Sequence, residues 1–251
     1  MFTFEKKWVL GNDYDKIAHT FLYLDDERYC HNRFDESVCA FGATLKKPEV
    51  LLLGDSHAGH YQPFLNEVGY KQNFSFLART YDACIPVITE DMIRIEKVSS
   101  DQKCIDQIIW SAKNFIRFNT IILAASWDGY VGESSPNPFF EREITNTIDM
   151  LVKNKKQVVI LELVPDCPDL MGYYRTQFTV RRFFTDEKLQ RQAVLTNCNR
   201  RANKTNPYLK NLAEKHGAIF IPALEEFQKQ VGKMPFVGDE FFYKDGVHCC
   251  F

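Results

Sequence analysis

The chain has 251 residues, 45% hydrophobic, 25% charged and 14% aromatic with 21 Phe, enough for one large domain or a domain with an extension. Its 31 basic and 33 acidic residues leave a net charge of -2, so no face-wide cationic excess is available for a nucleic-acid partner. No window approaches the ~20 apolar residues that cross a bilayer, and the N-terminal M-F-T-F-E-K-K-W lacks the apolar region of a signal peptide.

Eight cysteines, at positions 30, 39, 84, 104, 167, 198, 249 and 250, suit an oxidising compartment better than the cytosol. None forms a Cys-x-x-Cys pair with partners at zinc spacing, so neither a metal nor a cofactor is expected. An oxidised domain without an export signal implies a piece of a longer protein, delivered by whatever lies upstream of Met1.

Residues 1–47 show no sustained periodicity and read as an N-terminal extension packed on the core, with a loop closed by a Cys30–Cys39 bridge. Residues 48–251 then form the main domain. Val50–Leu53 has the length and composition of a buried strand that Gly54 ends, and a helix is expected over Ala58–Val68, stopping at Gly69. A second strand follows at Phe74–Ala78, and Arg79–Cys84 reads as a loop that Pro86 keeps irregular. Ile105, Ile108, Ile109, Ala112, Phe115 and Ile116 repeat at helical spacing over 101–118. A Cys84–Cys104 bridge would tie that helix back to the loop. Thr120–Ala125 is the third strand, and it delivers Ser126-Trp127-Asp128-Gly129-Tyr130. A helix over Phe140–Lys153, a strand over Gln157–Leu163, helical residues 186–215 with a break near Pro207, and a short strand at Gly217–Ile221 complete the pattern. Alternation of this kind predicts a three-layer α/β/α sandwich around a mainly parallel sheet of about five strands.

The chemistry concentrates at two points. Gly54-Asp55-Ser56-His57 falls between the first strand and its helix, and ligands of open α/β sheets bind outside the carboxyl ends of the strands. Near the C-terminus, Asp245 and His248 stand three residues apart on Tyr243-Lys244-Asp245-Gly246-Val247-His248. Acyl transfer by a serine needs a base to take its proton and a carboxylate to orient that base. His57 is expected to hydrogen-bond within its turn, and His60 to lie at the surface or core edge.

The pair G54-D55-S56-H57 and D245-x-x-H248 resembles the first and last sequence blocks of the SGNH (GDSL-type) hydrolases. With L51-L52-L53-G54-D55-S56-H57-A58, the A83-C84-I85-P86 turn, Cys104, I122-L123-A124-A125-S126-W127 and the 30/39 cysteine pair, it is similar to the SGNH domain fused to acyltransferase-3-type membrane O-acyltransferases. The resemblance makes Ser56 the nucleophile, His248 the base and Asp245 its orienting acid. It implies a periplasmic domain, tethered to the bacterial inner membrane, that moves an acetyl group to a cell-envelope glycan. The acyl group would come from a membrane-embedded acyltransferase domain upstream of Met1. Asp55, His57, Arg79, Ser126 and Trp127 are the candidates for oxyanion and substrate contacts. Trp127, Tyr130 and Tyr81 are candidate stacking surfaces for a sugar.

Two departures stand out. Ser126-Trp127-Asp128 replaces the family's Gly-x-Asn-Asp, and no block-two glycine is evident in Arg79–Ala83. A free-standing carbohydrate O-acetyl esterase is the main alternative. A metallophosphoesterase-like site using Asp55 and His57 and a non-catalytic glycan-binding module are the others. Cys167, Cys198, Cys249 and Cys250 leave three possible pairings.

Overall fold

The computed structural model describes residues 29–43, 46–131, 137–163, 186–197, 202–222, 236–237 and 240–241. The chain divides into two units. One comprises Glu27–Leu163 with Asn203–Ala223, and the other Met1–Asp26, Val164–Ala202 and Leu224–Phe251. Described in the latter are a helix at Glu187–Asn197 and a two-stranded antiparallel pair, Phe236–Val237 with Glu240–Phe241.

The apolar runs become neighbouring strands of one sheet in the first unit. Its strands are β1 (Ala40–Gly42), β2 (Val50–Gly54), β3 (Ser75–Thr80), β4 (Thr120–Ala124), β5 (Gln157–Leu161) and β6 (Ile219–Ile221). They lie in the order β1-β3-β2-β4-β5-β6, and all neighbours are parallel except β1 on β3. β2 and β3 are buried along their whole length, as strands covered on both faces must be.

The helices are α1 (Ser56–His60), α2 (Gln62–Gln72), α3 (Met92–Val98), α4 (Gln102–Asn114), α5 (Trp127–Val131), α6 (Pro138–Lys153) and, past Leu163 in this unit, α7 (Ala202–His216). Successive β3 residues show the layers, because side chains alternate across a sheet. Thr80 is bonded by Gln62 of α2, whereas Arg79 packs on Trp110 of α4. The two helices therefore cover opposite faces, and the architecture is a three-layer α/β/α sandwich.

Several expectations need correcting. The first helix starts at Ser56, breaks at Tyr61 before Gln62-Pro63, and runs through Gly69 to Gln72. Gly69 is a packing glycine, since a Cβ there would stand 2.9 Å from the Phe74 carbonyl and 3.0 Å from Gly42 Cα. The left-handed cap falls instead to Asn73, at φ 58°. Arg79 and Thr80 belong to β3 rather than to the loop. Pro207 sits inside α7 and marks no break. The sheet gains a sixth strand, β1, from the segment read as an extension.

Both expected disulfides of the described residues are present, Cys30–Cys39 and Cys84–Cys104. Cys167, Cys198, Cys249 and Cys250 lie outside the described residues.

Candidate active site

After β2 the chain turns one way across the sheet to β3, and after β4 the other way to β5. The carboxyl ends of β2 and β4 thus flank the point where the winding reverses, the usual ligand crevice of such sheets. Gly54-Asp55-Ser56 and Ala125-Ser126-Trp127 face each other there.

Gly54 permits that approach. A Cβ on it would fall 1.7 Å from the Ala124 carbonyl oxygen and 2.6 Å from Ala58 Cβ, so no larger residue fits at the end of β2. Asp55 follows, 2% exposed, and its carboxylate ties the two loops together. Oδ1 accepts the His57 N–H at 2.8 Å, which caps α1. Oδ2 accepts the Ser126 N–H at 2.9 Å and the Tyr130 hydroxyl at 3.0 Å. The Tyr130 phenol is pushed far up by its burial first, then by the Asp55 charge and hydrogen bond. Ser56 is the first residue of α1 and half-buried at the crevice.

Asp55 thus acts through both oxygens as an acceptor of N–H and O–H donors, which is a different use from the metal-ligand role considered above. Among the described residues, no three His, Cys, Asp or Glu side chains come together as a metal-binding group.

The remaining candidates divide. Ser126 stays at the crevice, with its hydroxyl donating to Asp128 at 3.1 Å. Trp127 is 1% exposed and donates from Nε1 to the Leu161 carbonyl at 2.9 Å. It is core packing and presents no face to a sugar, which corrects the expectation. Arg79 is 4% exposed, layered between Phe34 and Trp110 at 4.3 and 4.2 Å from the ring centroids, and donates to the Phe34 carbonyl. Burial lowers its guanidinium to about 10, and its contacts hold the 30–39 loop against α4. His57 is buried with Nδ1 3.8 Å from Asp55 Oδ1, and its ring lies 5.2 Å from that of His60. His60 is fully buried, not at the surface. Tyr130 is half-buried with its ring 5.3 Å from Phe140. Tyr81 is half-buried at the end of β3, its hydroxyl donating to Asp101.

Sequence reasoning missed a polar strap on the α1 side. Gln62 accepts from the Cys30 N–H and donates to the Cys30 carbonyl and Thr80. His31 bonds Thr80 at 3.1 Å and Asp82 at 2.7 Å, and Asn32 exchanges bonds with Asp82. The Cys30–Cys39 loop is thereby fastened to the carboxyl end of β3. Only the cysteine pair hinted at this, because each polar partner is about 30–50 positions away in sequence. Asp245 and His248 lie outside the described residues.

An α/β/α sandwich with a half-buried serine at the switch point of its sheet is the frame of a GDSL-type hydrolase. The chain belongs to the family of SGNH domains fused to AT3 (acyltransferase-3) domains, which it matches over residues 24–249, and so to an acyl esterase and acyltransferase family. No curated protein sequence matches it. Among solved structures it is similar to one assigned as an acylhydrolase from Bacteroides fragilis, at 12% identity and a TM-score of 0.41, covering 83% of this chain and 84% of that one. Another is a GDSL-like lipase from Bacteroides thetaiotaomicron, at 12% identity and a TM-score of 0.37, covering 80% and 78%. The family membership rests on the domain match alone.

Proposed function

We propose that the domain transfers an acetyl group to a hydroxyl of a cell-envelope glycan through an ester on Ser56. His248 serves as general base and Asp245 orients it. In the first half-reaction Ser56 Oγ adds to the donor carbonyl and gives its proton to His248, which passes it to the departing group. In the second, a sugar hydroxyl attacks the acyl-enzyme, His248 takes its proton, and Ser56 Oγ recovers it on leaving. The Ser56 backbone N–H is the first oxyanion donor of this reading.

The observation that supports it most is the position of Ser56, two residues after the glycine that lets β2 and β4 close on each other, with Asp55 between them fixing the turn. Membership of a family whose SGNH domain is fused to AT3 domains supports the donor side: a membrane-embedded acyltransferase upstream of Met1 would load Ser56 on the periplasmic face. Among the described residues no helix is long and apolar enough to cross a membrane. A free-standing O-acetyl esterase is the second reading. The burial of Trp127 favours it, since it removes one of three expected sugar platforms and leaves water a stronger competitor.

The test is consumption of a chromogenic acetate ester by the purified chain, with and without envelope glycans. Faster consumption with glycan, and acetylated sugar formed, is expected. If no glycan is acetylated while pre-acetylated glycans are deacetylated efficiently, the esterase reading replaces the transferase.

A further inference from the structure

We infer that Gln107 is a positioning residue for the nucleophile turn, a role that rests on the Ser56 reading above. Gln107 stands on α4, fully buried, and its Nε2 donates to the Gly54 carbonyl at 3.1 Å. That carbonyl also accepts the Tyr81 N–H, at 3.1 Å. Gly54 has no side chain and no room for one, so the segment leading into Asp55-Ser56 is held through its backbone. Gln107 is the side chain that grips this carbonyl from the α4 layer.

The amide has one workable orientation. Turned over, Oε1 would meet the Gly54 oxygen, acceptor against acceptor. In the working orientation Oε1 points into the interior, where it is buried without a partner among the described residues, as is Ser111 Oγ one turn along the same face. An unsatisfied buried oxygen is costly, and an apolar residue at 107 would avoid the cost. What the amide supplies in return is the bond to Gly54. The first turn of α4 is also fixed, by the Cys84–Cys104 disulfide and by Asp101 accepting from the Lys103 and Cys104 N–H groups. Gln107 follows three residues after Cys104, so its reach to Gly54 is set by a tethered helix end.

A small displacement of a nucleophile weakens the transition state more than ground-state binding. Gln107→Met keeps length and burial but removes the donor. With a chromogenic acetate ester it should lower kcat at least about tenfold and leave KM within about twofold. The rate at which a fluorophosphonate labels Ser56 should fall in parallel, while Tm holds or rises as the unsatisfied oxygen disappears. Ser111→Ala, on the same face but not bonded to Gly54, should keep wild-type kcat. Gln107→Asn, an amide too short to reach Gly54, should give the same split and stands in if Gln107→Met does not fold. Wild-type kcat and labelling in these Gln107 variants, or an equal loss in Ser111→Ala, would overturn the role. A wild-type chain that hydrolyses the ester but is never labelled at Ser56 would instead overturn the Ser56 reading, and this role with it.

Discussion

Removing the Asp55 carboxylate should cost far more than one hydrogen bond, because three donors converge on it from two loops. Asp55→Ala takes away a helix cap, about 1 kcal/mol. It also strands the Ser126 N–H and the Tyr130 hydroxyl, at about 1–3 kcal/mol for each donor left unmade, for a total of about 3–7 kcal/mol. At about 2–4 °C per kcal/mol for a chain of this size, Tm should fall by roughly 15 °C. Tyr130→Phe alone removes a single bond to a charged acceptor and should cost about 1.5–3 kcal/mol. In the Asp55→Ala background the Tyr130 hydroxyl has already lost its acceptor, so the second substitution should be nearly free. The double-mutant cycle, measured by denaturant unfolding, should therefore show about 2 kcal/mol of coupling. Losses that add to within about 0.5 kcal/mol would show that the two groups act independently, and the account of the Asp55 tie would fail.

Three further outcomes follow from the packing. Replacing either disulfide pair, Cys30/Cys39 or Cys84/Cys104, by Ala should lower stability by about 2–4 kcal/mol, read as a drop in Tm smaller than the one that reductant, opening both bridges, causes in the wild type. Glu143 is fully buried with Arg94 and Arg142 on its carboxylate, and Arg94 is the more enclosed of the two. Arg94→Met should then cost about 3–5 kcal/mol and Arg142→Met under about 1 kcal/mol, and the reverse order in denaturant unfolding would refute this assignment. Glu36 is held below the usual carboxylate range chiefly by its hydrogen bond to Arg117, so its contribution is present at neutral pH and lost as pH falls through its lowered value. Glu36→Gln should cost about 0.5 kcal/mol at pH 7 for this half-exposed pair, and the difference from wild type should shrink as pH falls through the lowered Glu36 value.

The central parallel strands were legible because β2, β4 and β5 each carry a short run of four or more apolar residues, and burial on both faces leaves no other use for such a run. The Ser56 turn was legible for a related reason: Gly54 must be small where β2 meets β4, and Asp-Ser is a natural helix start. β1 was not, since Ala40–Gly42 is three residues long in a polar segment and owes its place to pairing with β3 and to the Cys30–Cys39 loop. Gly69 looked like a helix stop because glycine serves both as cap and as close-packing residue, and only the approach of Gly42 distinguishes the two. Arg79 and Trp127 were misplaced toward solvent for one reason. Strand-end residues can face either a crevice or a helix layer, and their partners Phe34, Trp110 and Leu161 are remote in sequence. Gln107 carried no signal at all, because it lies off the Ile105, Ile109 and Ala112 stripe, where a polar residue reads as solvent-facing, whereas the face that α4 buries runs through Cys104, Gln107, Ile108 and Ser111.

The proposed transfer requires an acyl group carried on Ser56. The direct measurement is peptide mapping by mass spectrometry after brief exposure of the chain to a chromogenic acetate ester and a rapid acid quench. One acetyl group is expected on the peptide containing Ser56, with its loss on adding the acceptor, and no adduct and no turnover in Ser56→Ala. Undiminished hydrolysis by Ser56→Ala, or an acetyl group found on another residue that turns over at the same rate, would contradict it.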